Sequence, residues 1–333
     1  MSHPVRWGII GPGGIAGSFA ACLRSVPGAS LTAVASRDAR RAAAFTATWG
    51  GRACRDIADL LGDPGVDAVY VATPHPQHHA LAKQCLEAGK AVLCEKPITI
   101  NAAQCADLIA TARRHGVFLM EAMWTRFLPC MAQVRAWLAS GEIGEPRLLT
   151  ADFGFRCDWD PGSRLLDLQQ GGGGLLDVGV YLVSFADMVF AATPQRVSGF
   201  AHVGPTGVDE QGSLSLGYPG GALASLTYAI RTATNQTAVI YGTEGRIEIP
   251  SFWNATTAHL LRTGATATMF TRPHLGNGYE WQAMEVARCL GLGLVESPLM
   301  PWAESLSIQR SMDALRRSWD MQYPGEAALP GCV

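Results

Sequence analysis

Between Val5 and Arg24 the chain passes from a short apolar run, Val5-Arg6-Trp7-Gly8-Ile9-Ile10, through Gly11-Pro12-Gly13-Gly14-Ile15-Ala16 into a helix-like stretch. No other feature constrains the fold as strongly. A strand that ends in Gly-x-Gly-x-x-Ala and re-enters a helix needs Gly11 for a tight turn. It needs Gly13 where the backbone must lie bare, and Ala16 where helix and strand pack closely. The first N–H groups of such a helix, from Gly14 and Ile15 onward, have no partner in the helix itself and suit an anion. The segment therefore reads as a dinucleotide-binding turn.

The alternation continues beyond it. Residues 31–35, 66–72, 91–94 and 117–120 read as strands. Helical stretches separate them, through Trp49, from about His79 to Glu87, and from about Ala102 to His115. Short apolar runs that alternate with helices imply a doubly wound parallel sheet covered on both faces. The second half changes character. Residues 147–155, 196–203, 209–218, 221–230, 236–242 and 245–250 read as strands without helices between them, with Gly242-Thr243-Glu244-Gly245 as a hairpin connection. That pattern implies an open, predominantly antiparallel sheet. Helices near 279–291 and 302–319 close the chain. The fold class is α/β followed by α+β, with domains expected at 1–121 and 122–300.

Composition excludes several partners. The formal net charge is −2 and there is no run of Lys and Arg, so nothing suggests a nucleic acid. No apolar stretch reads as approaching the ~20 residues of a membrane helix, and the N-terminus does not read as an export signal. The nine cysteines, at 22, 54, 85, 94, 105, 130, 157, 289 and 332, are irregularly spaced and form no C-x-x-C pair. They read as reduced thiols of a cytoplasmic protein.

The tip of the second strand bears on the cofactor. An NAD site usually carries an acid there for the ribose 2′-OH. Here the segment is Ala35-Ser36-Arg37-Asp38, with Arg41 one turn beyond. Ser36 can donate a hydrogen bond, and Arg37 and Arg41 can pair with a 2′-phosphate, so the expectation is NADP. The alternative leaves both arginines solvated and gives the ribose to Asp38. The loop after the third strand, Thr73-Pro74-His75-Pro76-Gln77-His78-His79, is expected to touch the cofactor or substrate through Thr73, Pro74, His75 and His78. A zinc reading of its histidines lacks further ligands at suitable spacing, so no metal is expected.

The fourth strand ends in Glu95-Lys96-Pro97, where ligands bind in open α/β sheets. Glu95 and Lys96 are expected to touch the cofactor, and Lys96 is a candidate catalytic cation or a solvated loop lysine. Gly171-Gly172-Gly173-Gly174 runs into an apolar helix that carries Asp177 and Tyr181, four residues apart and so on one face. They are a buried hydrogen-bonding pair, or they act on a substrate.

The chain resembles the glucose–fructose oxidoreductase / inositol dehydrogenase (Gfo/Idh/MocA) family, in its branch of dihydrodiol and NADP-linked xylose dehydrogenases. The likeness lies in RWGII-GPGGIA, ASRD, TPHPQHH, AGKAVLCEKP, FLMEAMWTRFLP, GGGGLLDVGVY, YGTEGRIEI, GYEWQAMEVARCL and ESPLMP. It implies an active site between two domains, with the last helix, about 302–320, returning near the first. It implies a catalytic group of Lys96, Asp177 and Tyr181, and a substrate pocket with Trp124, Tyr279 and Arg164. It further implies NADP, a small sugar or cyclic diol substrate, and a homodimer through the open face of the second sheet. Many relatives carry His where this chain has Tyr181. Two rival functions are a carbonyl reductase of anhydro-ketoses or dicarbonyls and a non-catalytic NADP-binding regulator.

Overall fold

The computed structural model describes residues 4–326; Cys332 lies outside them. The chain divides into two compact units. The first comprises 1–99, 103–127 and 274–305, and the second comprises 100–102, 128–273 and 306–333.

The first unit is built on a six-stranded parallel sheet in the order β3-β2-β1-β4-β5-β6. Its strands are β1 (Val5–Ile10), β2 (Ala29–Ala35), β3 (Arg52–Ala53), β4 (Ala68–Val71), β5 (Ala91–Glu95) and β6 (Leu119–Ala122). Every residue of β4, β5 and β6 is buried, which explains the continuous apolar runs. The helices between them are α1 (Gly14–Leu23), α2 (Ala39–Trp49), α3 (Ile57–Leu61), α4 (His78–Glu87) and α5 (Ala102–His115). Strand β3 escapes the sequence pattern because its two residues are exposed.

In the second unit α6 (Pro129–Ala139) leads into β7 (Pro146–Gly154). A π turn (Leu175–Gly179) opens α7 (Val180–Phe190). Then come β8 (Arg196–Val203), β9 (Asp209–Gly217), β10 (Leu223–Ala229), β11 (Ala238–Gly242), β12 (Gly245–Ile249), β13 (Thr257–Arg262) and β14 (Thr268–Thr271). These eight strands form one sheet, β14-β13-β12-β11-β7-β10-β9-β8, antiparallel except where β10 runs parallel to β7. The hairpin expected at 242–245 joins β11 to β12. Helix α7 packs on β7 and β10. On the other face Tyr241, Leu148 and Leu223 lie side by side across three strands and are exposed, as is Phe200.

Helix α8 (Glu280–Gly291) packs on α1 in the first unit. The last helix, α9 (Trp302–Ser318), contains the dividing point at Ser305/Leu306. Its start bonds within the first unit, where Trp302 Nε1 donates to Leu119 O (2.9 Å). Its end bonds within the second, where Ser307 Oγ donates to Asp187 (2.8 Å).

One sequence expectation is corrected. The run Leu168–Phe190 is long and apolar enough to cross a membrane by composition, but 94% of that window is buried inside the protein. Its glycines had masked its length as an apolar stretch.

Candidate active site

The first unit builds its glycine turn from close backbone packing. Gly11 has φ +90°, and a Cβ there would fall 2.7 Å from Thr73 Cγ2 and 2.9 Å from Ala72 O. Gly13 and Gly14 differ, for a Cβ on either would meet nothing within 4 Å. No side chain caps α1, and its first bond to Gly13 O comes from Gly17 N (3.1 Å). The amides of Gly14, Ile15 and Ala16 are thus left for an anion. Ala16 is fully buried. Thr73 Oγ1, beside the turn, is buried without a hydrogen-bond partner. A bare turn, an uncapped helix start and an orphaned hydroxyl together fit a dinucleotide phosphate.

At the tip of β2, Ser36 Oγ accepts from Asp38 N (3.2 Å). The Asp38 carboxylate caps α2 by accepting from Arg40 N (2.9 Å). Arg37 and Arg41 are exposed, and Arg41 Nη2 reaches Pro12 O (3.4 Å) at the rim of the glycine turn. The acid of this segment is therefore engaged by a helix, while its cations are open.

Four hydrogen bonds hold the turn that carries Lys96. The Tyr70 hydroxyl donates to Glu95 Oε1, and Glu95 Oε2 accepts from Lys96 N (3.2 Å). Burial, with Glu95 beside it, keeps the Tyr70 phenol protonated. The Lys96–Pro97 bond is cis. Ile98 N donates to Glu121 Oε1 (3.1 Å). His78 is buried and contacts Pro97 O through Nδ1 (2.8 Å) and Thr73 O through Nε2 (2.7 Å). Both partners are acceptors, so both bonds form only when both ring nitrogens carry protons. His78 thus ties the end of β4 to the turn after β5. His75, also buried, lies edge-on to it at 5.6 Å. From Ala91 to Ile100 only Lys96 is not buried.

Trp124 and Tyr279 stack at 4.5 Å, 17° from parallel. The loop before Tyr279 is fixed by Glu280, whose carboxylate accepts from the amides of Leu275, Gly276, Asn277 and Gly278 at 2.8–3.2 Å. Burial opposes ionisation of Glu280, yet these amides outweigh it and hold the carboxyl below its ordinary range. Asn277 Nδ2 then donates to Ser18 O (2.8 Å) and anchors the loop to α1.

In the second unit the glycines 171–174 enter the π turn. Asp177 is buried and accepts from Arg164 Nη2 (3.0 Å). Tyr181 is 7% exposed and packs edge-on against Phe153 at 5.3 Å, and Phe153 stacks on Trp253 at 5.2 Å. The sequence implied a regular helix under Asp177 and Tyr181. The structure widens its first turn, a device found often at functional sites.

Several residues around these segments were not singled out from the sequence. The need for Glu95 to meet Tyr70 was readable, since a phenol inside a buried strand must find an acceptor. Phe153 and Trp253 looked like ordinary strand and loop aromatics. Glu121 and Asp209 gave no local signal.

Residues 5–123 match a family described as an oxidoreductase family with an NAD-binding Rossmann fold, and residues 131–248 match the GFO/IDH/MocA C-terminal domain. The chain is 40% identical over 332 residues to trans-1,2-dihydrobenzene-1,2-diol dehydrogenase of Mus musculus, covering 96% of this chain and 98% of that protein. The Homo sapiens protein of that name is 37% identical over 333 residues, covering 96% and 98%. Among solved structures, KijD10, a 3-ketoreductase from Actinomadura kijaniata in complex with NADP and TDP-benzene, superposes with a TM-score of 0.84 at 31% identity, covering 94% of this chain and 97% of that one.

Proposed function

Because the chain belongs to the Gfo/Idh/MocA oxidoreductase family, we propose that it is an NADP(H)-dependent dehydrogenase acting on the CH–OH group of a small sugar or cyclic diol. The observation that carries the cofactor choice is the tip of β2. Asp38 is spent on capping α2, while Arg37 and Arg41 stand exposed beside the bare glycine turn. Two guanidinium groups suit a 2′-phosphate, and the one acid of the segment is held at the start of α2 through Oδ1. Thr73, Pro74, His75, His78 and Glu95 complete the cofactor side.

The nicotinamide, when bound, supplies or accepts the hydride. The chain's own part is to move a proton and hold the substrate. We assign the proton transfer to Tyr181. A free phenol has a pKa of about 10, so the tyrosinate needs a stabilising charge near neutrality, a role for the Lys96 ammonium. Asp177, paired with Arg164, orients the substrate or Lys96. Trp124, Tyr279 and Arg164 line the substrate side, where flat aromatic faces suit a sugar ring or a diol ring. The dihydrodiol dehydrogenases support the diol, and the 3-ketoreductase supports the same residues working as a carbonyl reductase.

A homodimer through the exposed face with Tyr241, Leu148, Leu223 and Phe200 belongs to this reading. So does a cytoplasmic location, supported by eight described cysteines that are all free thiols.

The test is a screen of NADP reduction with D-xylose, D-glucose, L-arabinose, inositols and a trans-dihydrodiol, with a reverse assay on 1,5-anhydrofructose and small dicarbonyls. Turnover with any of them, and a higher kcat/KM with NADP than with NAD, is expected. No turnover in either direction would favour the non-catalytic regulator. A preference for NAD would overturn the cofactor assignment.

A further inference from the structure

The start of the helix that carries Asp177 and Tyr181 is gripped by a carboxylate from a distant strand. Asp209, the first residue of β9, is fully buried. Its Oδ2 accepts from Leu175 N (2.6 Å), the first amide of the π turn, and from the Tyr228 hydroxyl (2.6 Å) on β10. Its Oδ1 is buried without a hydrogen-bond partner. The glycine run fits around this pair. A Cβ on Gly173 would fall 2.2 Å from Asp209 Oδ1, and one on Gly174 would fall 2.6 Å from the Tyr228 ring. Gly212, opposite Tyr228 on β9, gives that ring its room, since a Cβ there would come 2.7 Å from it. The Tyr323 hydroxyl, 3.3 Å from that same Gly173 Cβ position, donates to Gly172 O (2.6 Å).

We propose that Asp209, steadied by the Tyr228 hydroxyl, is a positioning residue that sets the rotational phase of the π turn and so aims Asp177 and Tyr181. The proposal rests on the catalytic reading of Tyr181 given above. A negative group at a helix start stabilises it, and a carboxylate that bonds the first amide fixes where the helix begins. Asp177 follows Leu175 by two residues and Tyr181 by six, so a shift of that anchor is carried to both. Neither Asp209 nor Tyr228 needs to touch substrate or cofactor for this.

The test uses Asp209→Ala, Asp209→Asn and Tyr228→Phe in the full chain. Tyr181→Phe reports on the site itself, and Leu214→Ala, a buried position on β9, reports on lost stability alone. A displacement of a reacting group by about 1 Å costs on the order of 100-fold in rate. Tyr228→Phe, which removes one of two bonds, should lower kcat ~10-fold, and Asp209→Ala ~100-fold, with the KM for NADP unchanged. Asp209→Asn should stay within ~3-fold of the parent, because its amide oxygen can accept both bonds and its NH2 takes the unpartnered side. Hydrogen exchange of peptides covering 172–181 should quicken in Asp209→Ala and Tyr228→Phe and not in Asp209→Asn. Leu214→Ala should lower the melting temperature without this split.

Parental kcat and exchange in Tyr228→Phe overturn the proposal even if Asp209→Ala fails to fold. If Tyr181→Phe is impaired while Tyr228→Phe is not, the positioning role falls and the site stands. If Tyr181→Phe turns over normally, the site reading falls and the positioning role falls with it.

Discussion

The chain has two glycine-rich turns that each feed a helix, and the atoms around them differ. At Gly13 and Gly14 an added Cβ would meet nothing within 4 Å. At Gly172, Gly173 and Gly174 it would come within 2.7, 2.2 and 2.6 Å of the Arg164 carbonyl oxygen, Asp209 Oδ1 and the Tyr228 ring. The first turn leaves room for something outside the chain, whereas the second is filled by the chain itself. Helix α1 begins without a side-chain cap, while the π turn begins on the Asp209 carboxylate. Glycine in sequence therefore has two meanings here. In the first turn it leaves amides bare, and in the second it lets a protein framework close tightly behind Asp177 and Tyr181.

If binding belongs to the first turn and chemistry to the helix after the second, Tyr181→Phe is the sharpest way to break the comparison. It should lower kcat by ~10²–10⁴-fold, the usual scale of acid–base catalysis, with NADP affinity little changed. Lys96→Met should cost at least as much. Steady-state kinetics with a separate NADP titration check both. A Tyr181→Phe variant that loses NADP affinity and keeps kcat would undo the division.

The glycines themselves give the next largest effect. Gly173 has φ +107°, so Gly173→Ala combines a strained backbone with a clash against a buried carboxylate. It should destabilise the protein by roughly 2–4 kcal/mol. Gly13 has φ −106° and ψ −169°, which alanine accepts, and open space beside it. Gly13→Ala should change stability by less than about 0.5 kcal/mol while weakening NADP ~10–100-fold. Urea unfolding and an NADP titration on the two variants would show either this crossover or its absence.

This contrast also marks what was legible in the sequence. The glycine turn after β1 is readable because its logic is local, with strand, turn and helix within twenty residues. The parallel strands are readable because each is buried on both faces. Strand β3 is two exposed residues, and the edge strand β14 is mostly exposed, so neither leaves an apolar pattern. Helix α6 was not among the expected helices, although Cys130, Met131, Val134 and Trp137 fall on its buried side at helical spacing. Asp177 and Tyr181 were visible as polar residues on an apolar helix. What holds them was not, because Asp209 lies 34 positions from Leu175 and meets it only through the packing of β9. Glu121 is likewise 23 positions from Ile98 and 184 from Ser305. A motif records the residues that act, and the buried carboxylates behind them look like any acid near a strand end.

Arg37→Ala sharpens the first turn's role at a smaller scale. Loss of one exposed guanidinium from a phosphate should raise the Kd for NADP ~10-fold, about 1.4 kcal/mol, and leave NAD use unchanged. Equal losses with both cofactors would remove Arg37 from the 2′-phosphate.

The smallest effect compares the two buried carboxylates that brace the Lys96 turn and the π turn before Tyr181. Glu121 bonds Ile98 N behind the Lys96 turn and accepts from Ser305 Oγ (2.7 Å). Burial raises its carboxyl to about 7, against the pull of those two donors. Asp209, behind the other turn, is raised by burial to about 6, against its bonds from Tyr228 and Leu175. In the unfolded chain such groups titrate near ~4. The native state therefore holds protons that the unfolded state has released, and stability falls as pH rises from about 4 through each native value. Between pH 6 and 7 the loss due to Glu121 is about 1 kcal/mol, and that due to Asp209 about a third of it. Glu121→Gln keeps an acceptor for Ile98 N and offers a donor to Ser305, but it does not titrate. Its urea midpoint should gain on the parent as pH rises from 6 to 8, and Asp209→Asn should gain less. Parallel curves for parent and Glu121→Gln would mean that Glu121 is already ionised at pH 6, and that its two donors outweigh burial as the four amides at Glu280 do.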